Sequence, residues 1–117
     1  AILYREMGKY EEAIPICQKA TEILSQLLGQ NHPDFATSLH NLASLHKSMG
    51  RYDEAKSLHL QALKIRRQAL SADHPDIAGS LNSLGDLHQL INNYEDAIKF
   101  FLEAANIYQS SLGEEHT

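Results

Sequence analysis

Apolar residues recur along this chain at spacings of three and four residues, which is the period of one face of an α-helix. Two kinds of segment with this pattern alternate. The first kind predicts helices over residues 34–49 and 76–91, and the second predicts helices over 10–28, 52–70 and 94–112. In the first of these segments the apolar face is formed by Leu39, Leu42, Ala43, Leu45, His46 and Met49. The fold class that fits this pattern is all-α.

The same pattern repeats with a period of 42 residues. Residues 8–13 (GKYEEA) return as 50–55 (GRYDEA) and again as 92–97 (NNYEDA), and the triplet HPD stands at 32–34 and at 74–76. A period in this range is typical of a solenoid of stacked supersecondary units. Solenoids usually present an extended surface to a partner, so the period also bears on function.

Residues that favour turns stand at the predicted helix ends. Gly8, Gly50 and Asn92 occupy one equivalent position between paired helices, where a left-handed residue commonly ends a helix. Gly29 and Gly113 are expected to close the long helices. With residues 1–7 as the tail of a first helix, the chain is predicted to form six antiparallel helical segments.

Prolines and acids mark the helix starts. Pro33 and Pro75 stand at first-turn positions, where a missing N–H costs nothing. Asp34 and Asp76 follow them and place negative charge at the positive end of the helix dipole. Pro15 is the exception, because it falls about a turn and a half into a predicted helix and is expected to bend that helix without ending it.

Three positions of the repeat carry only small residues, which are expected where helix axes approach closely. A larger side chain there would overpack the contact, at a cost of about 1–3 kcal/mol. The nine residues are Ala1, Ala43 and Gly85; Ala13, Ala55 and Ala97; and Ala20, Ala62 and Ala104.

Small residues at these positions, together with the Gly-x-Tyr turn, resemble the tetratricopeptide repeat, and the resemblance covers essentially the whole chain. The ordinary repeat has about 34 residues. The longer period and the string Leu-Gly-x-x-His-Pro-Asp at 28–34 are similar to the kinesin-light-chain-like and nephrocystin-like variety. The resemblance implies a right-handed superhelical solenoid of antiparallel helix pairs.

The resemblance also divides the chain into repeats. Residues 1–117 are expected to form a single repeat-array fragment. Within it, 1–28 is a truncated repeat, 34–70 and 76–112 are complete repeats, and 113–117 begin a further one. A repeat array without a polar cap is expected to be marginally stable or to self-associate. The last helix carries Phe100, Phe101, Leu102 and Tyr108 with little chain left to cover them.

Composition narrows the function classes. The chain has 117 residues, of which 43% are hydrophobic, and a formal net charge of −5. Nucleic-acid binding is disfavoured because it needs a basic face, and the adjacent Arg66 and Arg67 are interpreted as a solvated helix face. No apolar run approaches the roughly 20 residues that span a bilayer, so no membrane partner is expected. The single Cys17 favours a reducing, cytoplasmic location.

The residues that could carry chemistry do not combine into a site. His32, His74 and His116 lie one repeat apart, which is about 10 Å or more, whereas zinc needs ligand atoms about 2 Å from one centre. His46, His59 and His88 are interpreted as core or groove-wall residues, and Cys17 as a buried small hydrophobe. No catalytic residue, metal or cofactor is predicted, and the chain is not expected to be an enzyme.

The resemblance implies that the first helix of each pair lines a concave groove that binds a peptide. The candidate groove residues are Thr37, His40, Asn41, Ser44, Lys47, Ser48, Asn82, Ser83, Asp86 and Gln89, with Ile2, Arg5 and Glu6 from the truncated helix. An Asn amide both donates and accepts, which suits a peptide backbone. Asn41 and Asn82 are therefore expected to contact the partner backbone, and His40 and Lys47 to select its side chains.

Two features of this groove argue against particular ligands. Relatives that bind chaperone tails clamp a terminal carboxylate with basic residues, and Gly79 and Ser83 stand at those places. Arg5 and Lys47 are offset by Glu6 and Asp86, which disfavours a strong preference for acidic peptides. The leading hypothesis is a non-enzymatic module that binds a peptide or helical segment of a partner protein. The alternatives are a spacer or self-association arm of a larger multidomain protein, and direct ligand or metal sensing through the histidines.

Overall fold

Five α-helices make up the computed structural model, which describes the backbone of residues 2–113 and the side chains of residues 8–110. The helices, connected by loops of three to five residues, are α1 (Ile2–Leu28), α2 (Pro33–Ser48), α3 (Tyr52–Ala69), α4 (Pro75–Leu90) and α5 (Tyr94–Gly113). The predicted all-α class is confirmed. Ala1 and residues 114–117 lie outside the described residues, as do the side chains of Ile2, Arg5 and Glu6.

The helices stack in chain order. Substantial contacts join helices that are consecutive in sequence, and the contacts within the pairs α2–α3 and α4–α5 are the most extensive. The molecule measures 49 × 37 × 22 Å along its principal axes. Its apolar core is divided accordingly: one cluster joins α2 to α3 around Phe35, Leu39 and Ala62, and another joins α3, α4 and α5 around Leu63, Leu81 and Ala104.

The turns within the pairs α2–α3 and α4–α5 have the predicted left-handed backbone. Gly50 has φ 78° and Asn92 has φ 65°. After each turn residue the next amide donates back to the last turn of the preceding helix, from Arg51 N to His46 O and from Asn93 N to His88 O, both at 2.8 Å. Gly29, which follows α1, is also left-handed, with φ 88°.

The turn predicted at Gly8 is absent, because α1 runs without interruption from Ile2 to Leu28. The described chain therefore has five helices and not six. Residues 2–7 make fewer than two helical turns, so folding them back would bury little apolar surface. Continuing the helix keeps its backbone hydrogen bonds at a cost of about 1 kcal/mol for a glycine inside it. Pro15 consequently lies in the interior of a 27-residue helix, much deeper than predicted.

The small residues are buried where a neighbouring helix covers them. Ala43, Ala55, Ala62, Ala97 and Ala104 are all buried. Gly85 is also buried, and a Cβ built on it would lie 2.7 Å from Cε1 of Phe101, so this position admits no larger residue without movement of the ring.

The prediction is wrong for Ala20, which is exposed, and holds only partly for Ala13, which is half-buried. Both lie on a side of α1 that no helix covers in the described part of the chain. Ala1 lies outside the described residues.

The repeated His-Pro-Asp triplet has a local structural role that the sequence reasoning missed. His32 and His74 are the N-cap residues of α2 and α4, and Nδ1 of each accepts a hydrogen bond from the backbone N–H of Asp34 or Asp76 at 3.0 Å. Pro33 and Pro75, each between the His and the Asp of its triplet, occupy the first helical positions of α2 and α4. Because Nδ1 accepts, each capping ring is in the Nε2–H tautomer.

Candidate protein-interaction surface

The ten predicted groove residues lie on α2 and α4, and the structure keeps all ten accessible. Six are exposed and His40, Lys47, Asn82 and Ser83 are half-buried. Lys47 Nζ lies 3.9 Å from Asp86 Oδ2, so the two helices are linked by an ion pair across this face. We call the surface formed by these ten residues the α2–α4 surface.

Two hydroxyls on the α2–α4 surface are bonded to their own helix. Thr37 Oγ1 donates to Pro33 O and Ser44 Oγ donates to His40 O, each at 3.1 Å. A hydroxyl has one proton, so these side chains retain only acceptor capacity for a ligand.

Among the described residues, the side-chain amides of Asn41 and Asn82 have no hydrogen-bond partner within the chain. Both therefore keep two donors and an acceptor free for a ligand.

Arg66 is buried beneath this surface, which corrects the interpretation that Arg66 and Arg67 form a solvated face. The side chain is only 6% exposed. Its Nη1 donates to Asp76 O at 3.0 Å and to Ser80 Oγ at 2.9 Å, and its Nη2 donates to Thr37 Oγ1 at 3.5 Å. Arg66 thus joins α3 to both helices of the α2–α4 surface.

The contrast between Arg66 and Arg67 follows from their directions on α3. Arg66 points into the junction with α4, where hydroxyl and carbonyl oxygens satisfy its donors, and burial lowers the pKa of its guanidinium while Asp76 acts in the opposite direction. Arg67 is exposed and forms an ion pair with Glu103 of α5. From the sequence, only the period of the helix indicates that the side chains of Arg66 and Arg67 point in different directions.

His40 of the α2–α4 surface is paired with a buried histidine of α3. The rings of His40 and His59 meet edge to face, with centroids 4.7 Å apart, and Nδ1 of each is buried without a hydrogen-bond partner. Burial lowers the pKa of His59 to about 3, and the charges of His40, Arg66 and Lys47 act in the same direction. Burial, followed by the charge of Arg66, also lowers the pKa of His40. Both rings are therefore neutral near pH 7.

His46 and His88 have a structural role as well. His46 and His88 are buried, as predicted, and lie near equivalent acids at the start of the following helix. His46 Nδ1 is 3.1 Å from Glu54 Oε2, whereas His88 Nδ1 is 3.2 Å from Asn93 Nδ2, which donates to Asp96 at 2.8 Å. Over the described ranges, no group of three or more His, Cys, Asp or Glu residues is placed to hold a metal ion.

Cys17 is half-buried, and its thiol lies 3.9 Å from Ser38 O. The predicted burial of this residue is therefore only partial. Its helix packs on α2 through a buried polar contact, in which Thr21 Oγ1 and Ser38 Oγ are 2.5 Å apart.

An open groove that the sequence did not predict lies between α1 and α2. Its volume is about 450 Å³, with Phe35 and Leu42 of α2 on one side and Gln18, Glu22 and Ser25 of α1 on the other. A second depression of about 310 Å³ shares Gln18 and Leu42 and extends toward α3. No sequence motif marks this groove, because its lining combines residues of α1 and α2 that are far apart in sequence.

Two terminal helix faces expose large apolar residues. On α5, Tyr94, Ile98, Leu102 and Tyr108 are exposed, Leu102 by 60%. Phe100 and Phe101, which were predicted to be uncovered, are half-buried, because Phe100 stacks on His88 and Phe101 packs against Gly85. On α1, a stripe containing Ile16, Ile23 and Leu27 is exposed.

These features define a helical-repeat protein with a polar surface shared by successive first helices. The profile of the tetratricopeptide repeat family matches residues 1–68 and 34–110. The chain therefore belongs to the tetratricopeptide repeat family, and its repeats are of the kinesin-light-chain-like type. Repeats of this family generally mediate protein–protein interaction.

Solved structures with the same fold include tetratricopeptide-like repeats from kinesin light chain proteins. One of them contains nearly identical TPR-like repeats of a Podosopora anserina protein assigned to the kinesin light chains. It matches with a TM-score of 0.80 at 24% identity, over 93% of this chain and 52% of that one. BtubC (BKLC) from P. vanneervenii matches with a TM-score of 0.83 at 26% identity, over 94% of this chain and 44% of that one. This chain thus spans about half the length of these structures.

Proteins of this type are typically non-enzymatic scaffolds. Within residues 2–113, none of the helices is both long enough and apolar enough to cross a bilayer.

Proposed function

We propose that this chain is a non-enzymatic module that binds an extended or helical segment of a partner protein on the α2–α4 surface, which forms part of the concave groove of the repeat array. The observation that carries the proposal is the pair of accessible amides, Asn41 and Asn82, on successive first helices, with no hydrogen-bond partner within the described chain. Each can donate to and accept from the partner backbone.

The surroundings of these amides support a polar, selective groove. Lys47 and Asp86 neutralise each other across α2 and α4, which disfavours a strongly charged ligand. His40 is neutral near pH 7 and offers a flat, half-buried ring to a partner side chain. The interaction takes place in the cytoplasm and needs no nucleic acid, membrane or cofactor. Residues 34–70 and 76–112 act as the two complete repeats.

The test is the double variant Asn41→Ala, Asn82→Ala, assayed against a partner identified with the full array. Loss of one hydrogen bond costs about 0.5–1.5 kcal/mol, and more if the other group is left buried, so affinity should fall about tenfold or more. The matched control is Gln61→Ala with Gln68→Ala, which removes two exposed amides from α3. Equal affinities of the two double variants would refute the groove mechanism.

A second candidate function, self-association as a structural or regulatory arm, is favoured by the apolar outer face of α5. Tyr94, Ile98 and Leu102 lie at spacings of four residues on this face and are all exposed. Ultracentrifugation should then show concentration-dependent association that Ile98→Lys abolishes. A monomer at all concentrations would refute this candidate and leave the groove proposal untouched.

A further inference from the structure

The open groove between α1 and α2 continues toward α3. Its first part, of about 450 Å³, has Phe35 and Leu42 of α2 in its lining, together with Glu22 and Ser25 of α1. The second part, of about 310 Å³, shares Leu42 and reaches Glu54 of α3. We call the two parts together the α1–α3 groove. Three described helices bound it.

The next repeat shows which side chain suits this position. Arg67 of α3 forms an ion pair with Glu103 of α5. The residues that stand 42 positions earlier are Ser25 and Gln61. Ser25 lines the α1–α3 groove, and Gln61 lines a smaller depression of about 150 Å³ between α3 and the loop after α1. Because both of these side chains are uncharged, no arginine–carboxylate bridge forms here, and the position that Arg67 fills in one repeat is open in the other.

The charges around the α1–α3 groove favour a cation. Glu22 and Glu54 line it and are both exposed, and over the described residues neither part of the groove is lined by a Lys or Arg. Glu54 lies close to His46, with 3.1 Å between Oε2 and Nδ1, whereas Glu22 forms no ion pair with another described residue. Lys64 lines only the smaller depression. The formal net charge of −5 adds a long-range attraction for basic ligands.

We propose that the α1–α3 groove is a second interaction surface, which binds an arginine side chain of a partner protein. The methylene stem of this arginine lies against Phe35 and Leu42. Its guanidinium donates to the carboxylate of Glu22, in the way that Arg67 pairs with Glu103. Arginine fits better than lysine because a guanidinium is planar, is weakly hydrated, and stacks on aromatic rings such as that of Phe35.

This groove is separate from the α2–α4 surface. On α2, Phe35 and Leu42 each lie two positions before Thr37 and Ser44 of the α2–α4 surface, which is slightly more than half a helical turn. The two surfaces therefore face different sides of α2, and a ligand on one leaves the other accessible.

The test is a titration of the isotope-labelled 117-residue chain with the blocked peptide Gly-Ser-Arg-Ser-Gly, followed by NMR of the backbone amides. Saturable shifts are expected at Gln18, Glu22 and Leu42. The dissociation constant should be about 1 mM, since a single side chain carries the contact. A peptide with citrulline in place of arginine has the same shape without the charge and should cause no saturable shift.

Variants of the chain locate the site. Glu22→Gln should weaken peptide binding about fivefold, the upper range for an exposed ion pair. Glu12→Gln is the matched control, because it removes the same charge from an exposed position on another side of α1, and it should leave the affinity unchanged. The double change Ser25→Arg, Gln61→Glu recreates the Arg67–Glu103 pair inside the groove and should abolish binding while the helical content is retained.

Four results would overturn the proposal: no saturable shift, equal shifts with the citrulline peptide, binding that survives the double change Ser25→Arg, Gln61→Glu, or equal losses in Glu22→Gln and Glu12→Gln. The last result would show a general attraction to an acidic chain. The double change Asn41→Ala, Asn82→Ala should leave peptide binding intact, so this test is independent of the proposal for the α2–α4 surface.

Discussion

Replacing Gly85 with Ala tests a close contact between α4 and α5. An ideal Cβ at this position would lie 2.7 Å from Phe101 Cε1 and 2.9 Å from Phe101 Cδ1 and Cζ, whereas carbon atoms in favourable contact are about 3.5–4.0 Å apart. The ring or α5 would have to move by roughly 1 Å to restore that separation. Overpacking of this kind costs about 1–3 kcal/mol.

Helix propensity acts in the opposite direction, and α4 contains a matched control. Gly→Ala inside a helix stabilises by about 0.5–1 kcal/mol. Gly79 also lies in α4, and a Cβ built there would meet nothing within 4 Å. Gly79→Ala should therefore stabilise the chain, and Gly85→Ala should be less stable than Gly79→Ala by about 1–3 kcal/mol.

The assay is urea unfolding followed by far-ultraviolet circular dichroism on both variants. The double variant Gly85→Ala, Phe101→His recreates the combination found 42 residues earlier, at Ala43 and His59. The double variant should be more stable by about 1 kcal/mol than the sum of the two single changes in unfolding free energy predicts. A coupling of this size is usual for residues in contact. Equal stabilities of the two alanine variants, or strict additivity in the double variant, would refute the packing argument.

Three further predictions concern stability. Because the pKa of His59 is lowered to about 3 from 6.5, the unfolded chain binds a proton before the folded one. Stability should fall as pH drops from 6.5 toward 3, by about 2 kcal/mol at pH 5; urea titrations should show this loss reduced in His59→Leu. His74→Ala removes the cap of α4 and should cost about 0.5–2 kcal/mol in thermal unfolding, whereas His74→Asp should cost much less. Ala62→Leu should destabilise by about 1–3 kcal/mol, while Ala20→Leu, at the exposed equivalent, should leave the melting temperature nearly unchanged.

Much of the fold could be predicted from the sequence because its determinants are local. Apolar spacing located the helices within about two residues, apart from the start of α1, and the turn residues at Gly50 and Asn92 take the left-handed backbone that their side chains permit. The candidate groove residues lie at exposed or half-buried positions, since they occupy the polar side of an amphipathic helix. Whether a partner binds there stays a prediction.

The tertiary structure decided what depends on neighbours. Ala20 and Ala62 are equivalent in sequence, yet only Ala62 is buried, because α2 covers that side of α3 and no described helix covers the same side of α1. Gly8 and Gly50 are equivalent as well, but only Gly50 ends a helix. The sequence predicts a solvated Arg66, whereas this side chain is buried and Asp76 O and two hydroxyls accept its hydrogen bonds. A sequence repeat specifies the residue at each position, whereas burial depends on whether another helix is present to pack against it.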